Sequence, residues 1–166
     1  IIVPAASLAH GLDDLAGQRF AFTDELSLTG RTYPVSLLRQ RQRDPVEFFS
    51  ATVATRSHDR SIAAVEHEMV EGAAVDSLIY DYMLAHDPAR AALTRVLQAS
   101  PPLGTMPIVV ATRLPAELRA RLRAALLELH QDPEAAELMG LLHFERFVVP
   151  PPELYDGAAA VLEQAR

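Results

Sequence analysis

Three times in the N-terminal half of the chain, a short apolar run stops at a hydroxyl or carboxylate residue that opens a helix. Arg19–Phe22 leads into Ser27-Leu28-Thr29-Gly30, residues 49–54 lead into Ser57-His58-Asp59, and residues 73–75 lead into Asp76-Ser77. Strands separated by helices do not close as hairpins. They pair side by side in parallel, and the intervening helices cover the faces of the sheet. The pattern predicts an α/β fold with a mainly parallel sheet and flanking helices.

The remaining punctuation agrees. Residues 1–3 read as a strand stopped by Pro4, as if already under way where the sequence opens, so the chain is expected to be a piece of something longer. One helical turn over Leu12–Leu15 closes at Gly17, a helix covers about 32–40, and Asp44-Pro45 caps a short turn. Ser57 caps a helix running to about Met69, with Ile62, Val65 and Met69 on one face. A helix takes 77–84, Asp87-Pro88 restarts another, and 95–99 returns as a strand. Beyond Ser100-Pro101-Pro102, residues 107–111 read as a continuous apolar strand. The strongest helical pattern follows over 114–130: Leu118, Leu122, Leu126 and Leu129 make one stripe, and Glu117 and Arg121 an i,i+4 pair on the other face. Asp132-Pro133 caps a further helix, and the last covers 152–164.

Composition excludes several chemistries. The chain has no cysteine, which removes a disulfide framework, a thiol nucleophile and Cys-ligated metal, and leaves the redox compartment unreadable. All 15 basic residues are arginine, so neither a Schiff-base lysine nor a P-loop lysine exists. Acids outnumber bases 22 to 15, for a net charge of −7, which argues against a nucleic-acid or anionic-membrane face. No apolar stretch is long enough to span a membrane, and no signal peptide opens the sequence. At 166 residues the chain suits one substantial domain or two small lobes.

In open α/β sheets, ligands gather beyond the C-terminal ends of strands, where loops enter helix N-termini. Ser27, Thr29 and Gly30 place hydroxyls, N–H groups and the positive end of a helix at one such junction, with Gly30 allowing close backbone approach. That is the recipe for an oxyanion site, and equally for simple helix capping. His58 opens the next helix, where the dipole disfavours imidazolium and a neutral ring can donate to an anion, although a lone histidine is as readily a surface residue. Ser77, after Asp76, is a cap by default and a ligand contact only if it faces the same crevice. Catalytic and metal constellations are absent: His67-Glu68 lacks the second histidine of a zincin, the six histidines show no ligand spacing, and no nucleophile elbow or Walker sequence occurs. No cofactor is implied.

Taken together, the junctions resemble the substrate-binding proteins of phosphate/phosphite/phosphonate ABC transporters. The matching run is Asp14-Leu15-Ala16-Gly17-Gln18-Arg19-Phe20-Ala21-Phe22, Ser27-Leu28-Thr29-Gly30 with Tyr33-Pro34, Ser57-His58-Asp59 with Ala64-Val65, Val75-Asp76-Ser77, and Ser100-Pro101-Pro102 before Pro107-Ile108-Val109-Val110. The resemblance implies a two-lobed type 2 periplasmic-binding fold, with one complete lobe at 4–103, the returning part of the other lobe at 104–150 and a C-terminal helix at 151–166. A segment before Ile1 would build most of the first lobe. The family's Ser-Thr-Ser-Gly loop falls on Ser27, Leu28, Thr29 and Gly30, and its oxyanion-contacting histidine on His58. Here the binding alternative at both junctions becomes the favoured one.

Two departures bear on the ligand. Leu28 replaces a hydroxyl residue and offers only its backbone N–H. The two acids that hold the ammonium of aminoalkylphosphonates fall on Leu78 and Met106, where an ammonium would lose its hydration uncompensated. A smaller or apolar-tailed oxyanion is expected: phosphite, phosphate, methylphosphonate or another alkylphosphonate. Asp76 is expected to accept from a protonated ligand oxygen. The resemblance therefore implies a non-catalytic, monomeric solute-binding component of an importer, periplasmic or anchored outside the cytoplasmic membrane. It would hold the oxyanion in an interlobe cleft and deliver it to an ABC permease. The alternatives are the sensor input domain of a membrane signalling protein, and an enzyme acting on a phosphate ester with His58 as acid.

Overall fold

The computed structural model describes residues 1–166. The chain divides into two compact units, one of Ile1–Leu103 with Asp156–Arg166 and the other of Gly104–Tyr155. In chain order the elements are β1 (Ile2–Pro4), β2 (Arg19–Phe22), α1 (Tyr33–Gln40), α2 (Pro45–Phe48), β3 (Ala51–Ala54), α3 (His58–Glu66), β4 (Gly72–Ala73), α4 (Ser77–His86), α5 (Pro88–Ala91), β5 (Thr94–Val96), α6 (Ala116–Glu128), α7 (Pro133–Leu141) and α8 (Asp156–Gln164).

All five strands belong to the first unit and form one sheet in the order β3-β2-β4-β1-β5. β2 pairs in parallel with β3 on one side and β4 on the other, while β1 runs antiparallel to both β4 and β5. The sheet is thus mixed, with β1 alone reversed. Because β3 and β4 flank β2, the chain leaves β2 towards one side and later returns on the other. That switch leaves a crevice beyond the C-terminal ends of the three parallel strands.

Strand periodicity sorts the core into two layers. Val3, Phe20, Phe22 and Ala74 point to one face and pack with Tyr33, Leu37 and Leu38 of α1, with Phe48 and Phe49, and with Val161 of α8. Ile2, Ala21 and Ala73 point to the other face, against Ile62 and Val65 of α3 and Tyr80 and Met83 of α4. Phe20 stacks on Phe49 with ring centroids 4.5 Å apart and meets Phe22 edge-on at 5.1 Å, which anchors the end of β2. The central strands are therefore covered on both faces, while the edge strand β3 stays exposed along its length.

The second unit holds α6, a tight turn over Leu129–Gln131, α7 and a turn over Pro152–Tyr155. Here three expectations need correction. Residues 107–111 form no strand, and Ile108 and Val109 are 58 % and 79 % exposed. A strand exists only through a ladder of hydrogen bonds, and this unit contains no other strand to supply one. α6 forms as expected from its Ala, Leu, Arg and Glu content, yet Leu118 and Leu122 of its stripe are each 39 % exposed. Glu117 and Arg121 make no ion pair, which fits the small worth of exposed pairs. In the first unit, Met69 does not join the α3 face. The helix ends at Glu66, Glu68 turns the chain at φ 54°, and Val70 enters the core instead, leaving Met69 exposed.

Three contacts give stability predictions. The Glu66 carboxylate is nearly buried and is held by Arg90 through Nε at 3.0 Å and Nη2 at 3.0 Å. Arg90→Ala strands that carboxylate, and urea unfolding should show a loss of about 1–3 kcal/mol, smaller than for a fully buried pair because Arg90 itself is partly exposed. Arg19 makes a comparable fork with Glu71, both exposed, and Arg19→Ala should barely move the midpoint. At Gly30 a Cβ would collide with Thr23 Oγ1, whereas at Gly11 it would meet open space. Gly30→Ala should therefore lower the melting temperature markedly, by about 1–3 kcal/mol of overpacking, while Gly11→Ala is tolerated.

Candidate functional site

The three parallel strand ends open onto the three loops singled out in the sequence. After β2, Ser27 caps a widened helical turn over Leu28–Thr32 that runs directly into α1. Ser27 Oγ accepts from Gly30 N at 3.0 Å, and Thr32 N donates to Ser27 O at 2.9 Å, five residues back. The N–H groups of Leu28 and Thr29 lie in the first turn, where no intrahelical acceptor exists. The Leu28 side chain packs against the α1-side core, so its backbone faces the loop while its side chain serves the fold.

After β3, Thr55 Oγ1 donates to backbone oxygens of Phe22 and Ser57 or shares a proton with Ser61 Oγ at 2.6 Å, which fixes the turn. Ser57 Oγ then accepts from Arg60 N at 3.2 Å and caps α3, with His58 at its first position. After β4, Asp76 caps α4 by accepting from Leu78 N on Oδ1 at 2.9 Å, and Ser77 stands exposed at the first position of that helix.

Asp76 also ties the three loops together. Its backbone N–H donates to His58 Nδ1 at 3.0 Å, and its Oδ2 accepts from Thr29 Oγ1 at 3.2 Å. Since a backbone N–H can only donate, Nδ1 carries no proton and the ring's proton sits on Nε2. His58 thus presents Nε2–H as a donor at the start of a helix. Thr29, His58 and Asp76, which lie far apart in sequence, form one hydrogen-bonded chain. Ser27 and Gly30 flank Thr29 and are bonded to each other by the cap, and the side chains of Ser27, Thr29, His58 and Asp76 are half-buried.

Thr23 escaped the sequence reading. It follows β2, its N–H donates to Gly30 O at 3.2 Å, and its C=O accepts from Arg56 N at 2.8 Å, so its backbone locks the first two loops to each other. Its side chain is buried directly beneath Gly30, and its hydroxyl has no hydrogen-bond partner. Nothing in a threonine next to a polar loop signals that role. The adjacency of Gly30 is what makes it legible. A cavity of about 560 Å³ beside α1 and β3, lined by Phe22, Arg31, Val35, Arg39 and Thr52, contains none of the expected site residues. The candidate site is an open face at the sheet edge.

What this face can do chemically is present hydrogen-bond donors to an anion: the Ser27 hydroxyl, the first-turn N–H groups and the His58 Nε2–H, with helix N-termini behind them. No group of three or more His, Asp or Glu side chains gathers to hold a metal.

Solved structures share this architecture. PhnD1 from Prochlorococcus marinus, solved in complex with methylphosphonate, superposes with a TM-score of 0.78 at 18 % identity over 98 % of this chain and 64 % of its own. The binding protein component PA3383 of a Pseudomonas aeruginosa phosphonate transporter gives 0.76 at 18 % identity, over 99 % of this chain and 63 % of its own. XAC2383 from Xanthomonas citri, solved with chloride, gives 0.73 at 20 % identity, over 99 % and 63 %. The chain thus spans somewhat under two thirds of the length of these proteins, and at such identities the likeness establishes the fold. None of the curated proteins matches its sequence. The family model described as the periplasmic substrate-binding protein of phosphonate ABC transporters matches residues 1–155. By that match over most of its length, the chain belongs to the phosphonate ABC-transporter periplasmic substrate-binding family.

Proposed function

We propose that the protein is the solute-binding component of an importer for a small phosphorus oxyanion, and that Ser27, Leu28, Thr29, Gly30, His58, Asp76 and Ser77 form the ligand-gripping face. In this reading residues 4–103 are the gripping lobe, residues 104–150 the returning segment of the other, and 151–166 a terminal helix. The protein works as a monomer outside the cytoplasmic membrane and delivers its ligand to a membrane permease. No bond is made or broken: the work done is desolvation of the anion against fixed dipoles, followed by release.

The observation that carries the reading is the bond from Asp76 N–H to His58 Nδ1, because it leaves the ring a single outward donor beside the Ser27 loop. An oxyanion entering the face exchanges water for the Ser27 hydroxyl, the N–H groups of Leu28 and Thr29, and His58 Nε2–H. Hydrogen bonds to a charged partner are each worth about 1.5–3 kcal/mol, so a few suffice for micromolar capture once a second wall closes over them. The acidic surface as a whole is no obstacle, since the donors act over a few ångströms and longer-range charge is screened.

Ligand size follows from two positions that the family resemblance assigns. It puts the acids that hold a ligand ammonium at Leu78 and Met106, which are both apolar here. Methylphosphonate, phosphite and phosphate are the expected ligands, and aminoethylphosphonate should bind no better than methylphosphonate. Titration calorimetry on the full-length protein checks this: His58→Ala should weaken methylphosphonate binding about tenfold to a hundredfold while leaving the far-ultraviolet spectrum unchanged. Ligand at a hundred times its Kd should raise the unfolding free energy by about 2.7 kcal/mol. The absence of any thermal shift with every one of these phosphorus oxyanions would overturn the function.

A further inference from the structure

We infer that Thr29 and Asp76 form an acceptor pair that reads a proton on the ligand, so that the site takes singly protonated phosphorus oxyanions and rejects sulfonates of the same size and charge. The inference rests on the oxyanion-binding function proposed above and adds to it a rule for which oxyanions enter.

The argument follows the protons. Ser27 Oγ accepts from Gly30 N, so its own proton is free to turn outward. His58 Nδ1 accepts from Asp76 N, so its Nε2–H is free as well. Thr29 is the opposite case. Its hydroxyl has one proton and donates it to Asp76 Oδ2 at 3.2 Å, because a carboxylate has nothing to donate in return. Towards a ligand, Thr29 therefore offers lone pairs only. The carboxylate itself is half-buried, with Oδ1 accepting from Leu78 N and Oδ2 from Thr29, and each oxygen keeps a lone pair unused. None of the four ion pairs of the chain involves Asp76, so its charge is not neutralised by an arginine.

Such a face has a donor side and an acceptor side. A P–OH group satisfies the acceptor side by donating to Asp76 or Thr29, while the remaining oxygens accept from Ser27, the first-turn N–H groups and His58. An oxyanion with no proton sets its lone pairs against those of Thr29 and against the Asp76 charge, and no rotation of the Thr29 hydroxyl relieves this without giving up its bond to Asp76. Lone pairs left facing lone pairs once a ligand has displaced the water between them discriminate sharply between ligands differing by one hydrogen. Methylphosphonate monoanion and methanesulfonate are such a pair: both tetrahedral, both singly charged, and only the first carries a proton.

The test is titration calorimetry of the full-length protein with these two ligands at one fixed, slightly acidic pH, where methylphosphonate is mainly its monoanion. Methylphosphonate should bind about 100-fold tighter or more. Asp76→Asn keeps an oxygen for Leu78 N–H, while its amide donates to Thr29 and turns that hydroxyl outward as a donor. The preference should then fall below about tenfold, chiefly because methanesulfonate gains. Should Asp76→Asn fail to fold, Thr29→Val removes one acceptor without touching the cap and should weaken methylphosphonate while leaving methanesulfonate unchanged or improved. Wild-type protein that binds the two ligands within about threefold of each other overturns the acceptor pair and leaves the oxyanion function standing, as does a ratio unmoved by the variant that folds. Failure of methylphosphonate to bind at all overturns both.

Discussion

Asp76 is the residue through which the candidate site holds together. Its N–H fixes the ring of His58, one carboxylate oxygen caps α4 and the other holds Thr29, so a single residue orders three loops that no other side chain links. The dependence is geometric. Take away those bonds and the histidine loses its defined tautomer, the Ser27 loop loses its tie to the end of β4, and α4 loses its cap. Preorganisation of this kind matters for an anion site, because donors that must be gathered on binding spend the affinity they supply.

Behind Asp76 lies the arrangement of the sheet. β2 runs parallel to β3 and to β4, so three loops emerge on one edge, and the aromatic packing of Phe20, Phe22 and Phe49 holds the central strand in place. Thr23 completes the frame by bonding to Gly30 on one side and Arg56 on the other. Gly30 is glycine because Thr23 occupies the space a side chain would need. Core packing and site geometry are here the same problem, solved at the same residues. The open face that results holds hydroxyl and N–H donors, the Thr29–Asp76 hydrogen bond and helix N-termini.

The alternation of strands and capped helices was legible because each short strand stops at a residue whose side chain satisfies the next helix's first N–H groups, as Ser27, Ser57 and Asp76 all do. The two-layer core was legible too, since Val3, Phe20 and Phe22 on one face and Ile2 and Ala21 on the other follow the twofold period of a strand. Leu28 read as a lost hydroxyl, but its side chain belongs to the core, a fact about its neighbours that no spacing conveys. Residues 107–111 read as a strand because apolar runs do, and they form none because pairing is a property of the partner as much as of the run.

The sequence by itself determined the order of elements, the positions of the caps and the exclusion of thiol, lysine and Cys-ligated metal chemistry, because each of these depends on local propensity or on residues being present at all. Tertiary structure alone decided which of the polar residues meet. His58 and Asp76 are separated by a helix and a strand, and only the parallel pairing of β3 and β4 with β2 brings Nδ1 within 3.0 Å of the Asp76 N–H. The direction in which the Thr29 proton points was likewise settled in space: a hydroxyl can give or take, and its partner, found only in the folded chain, chooses for it.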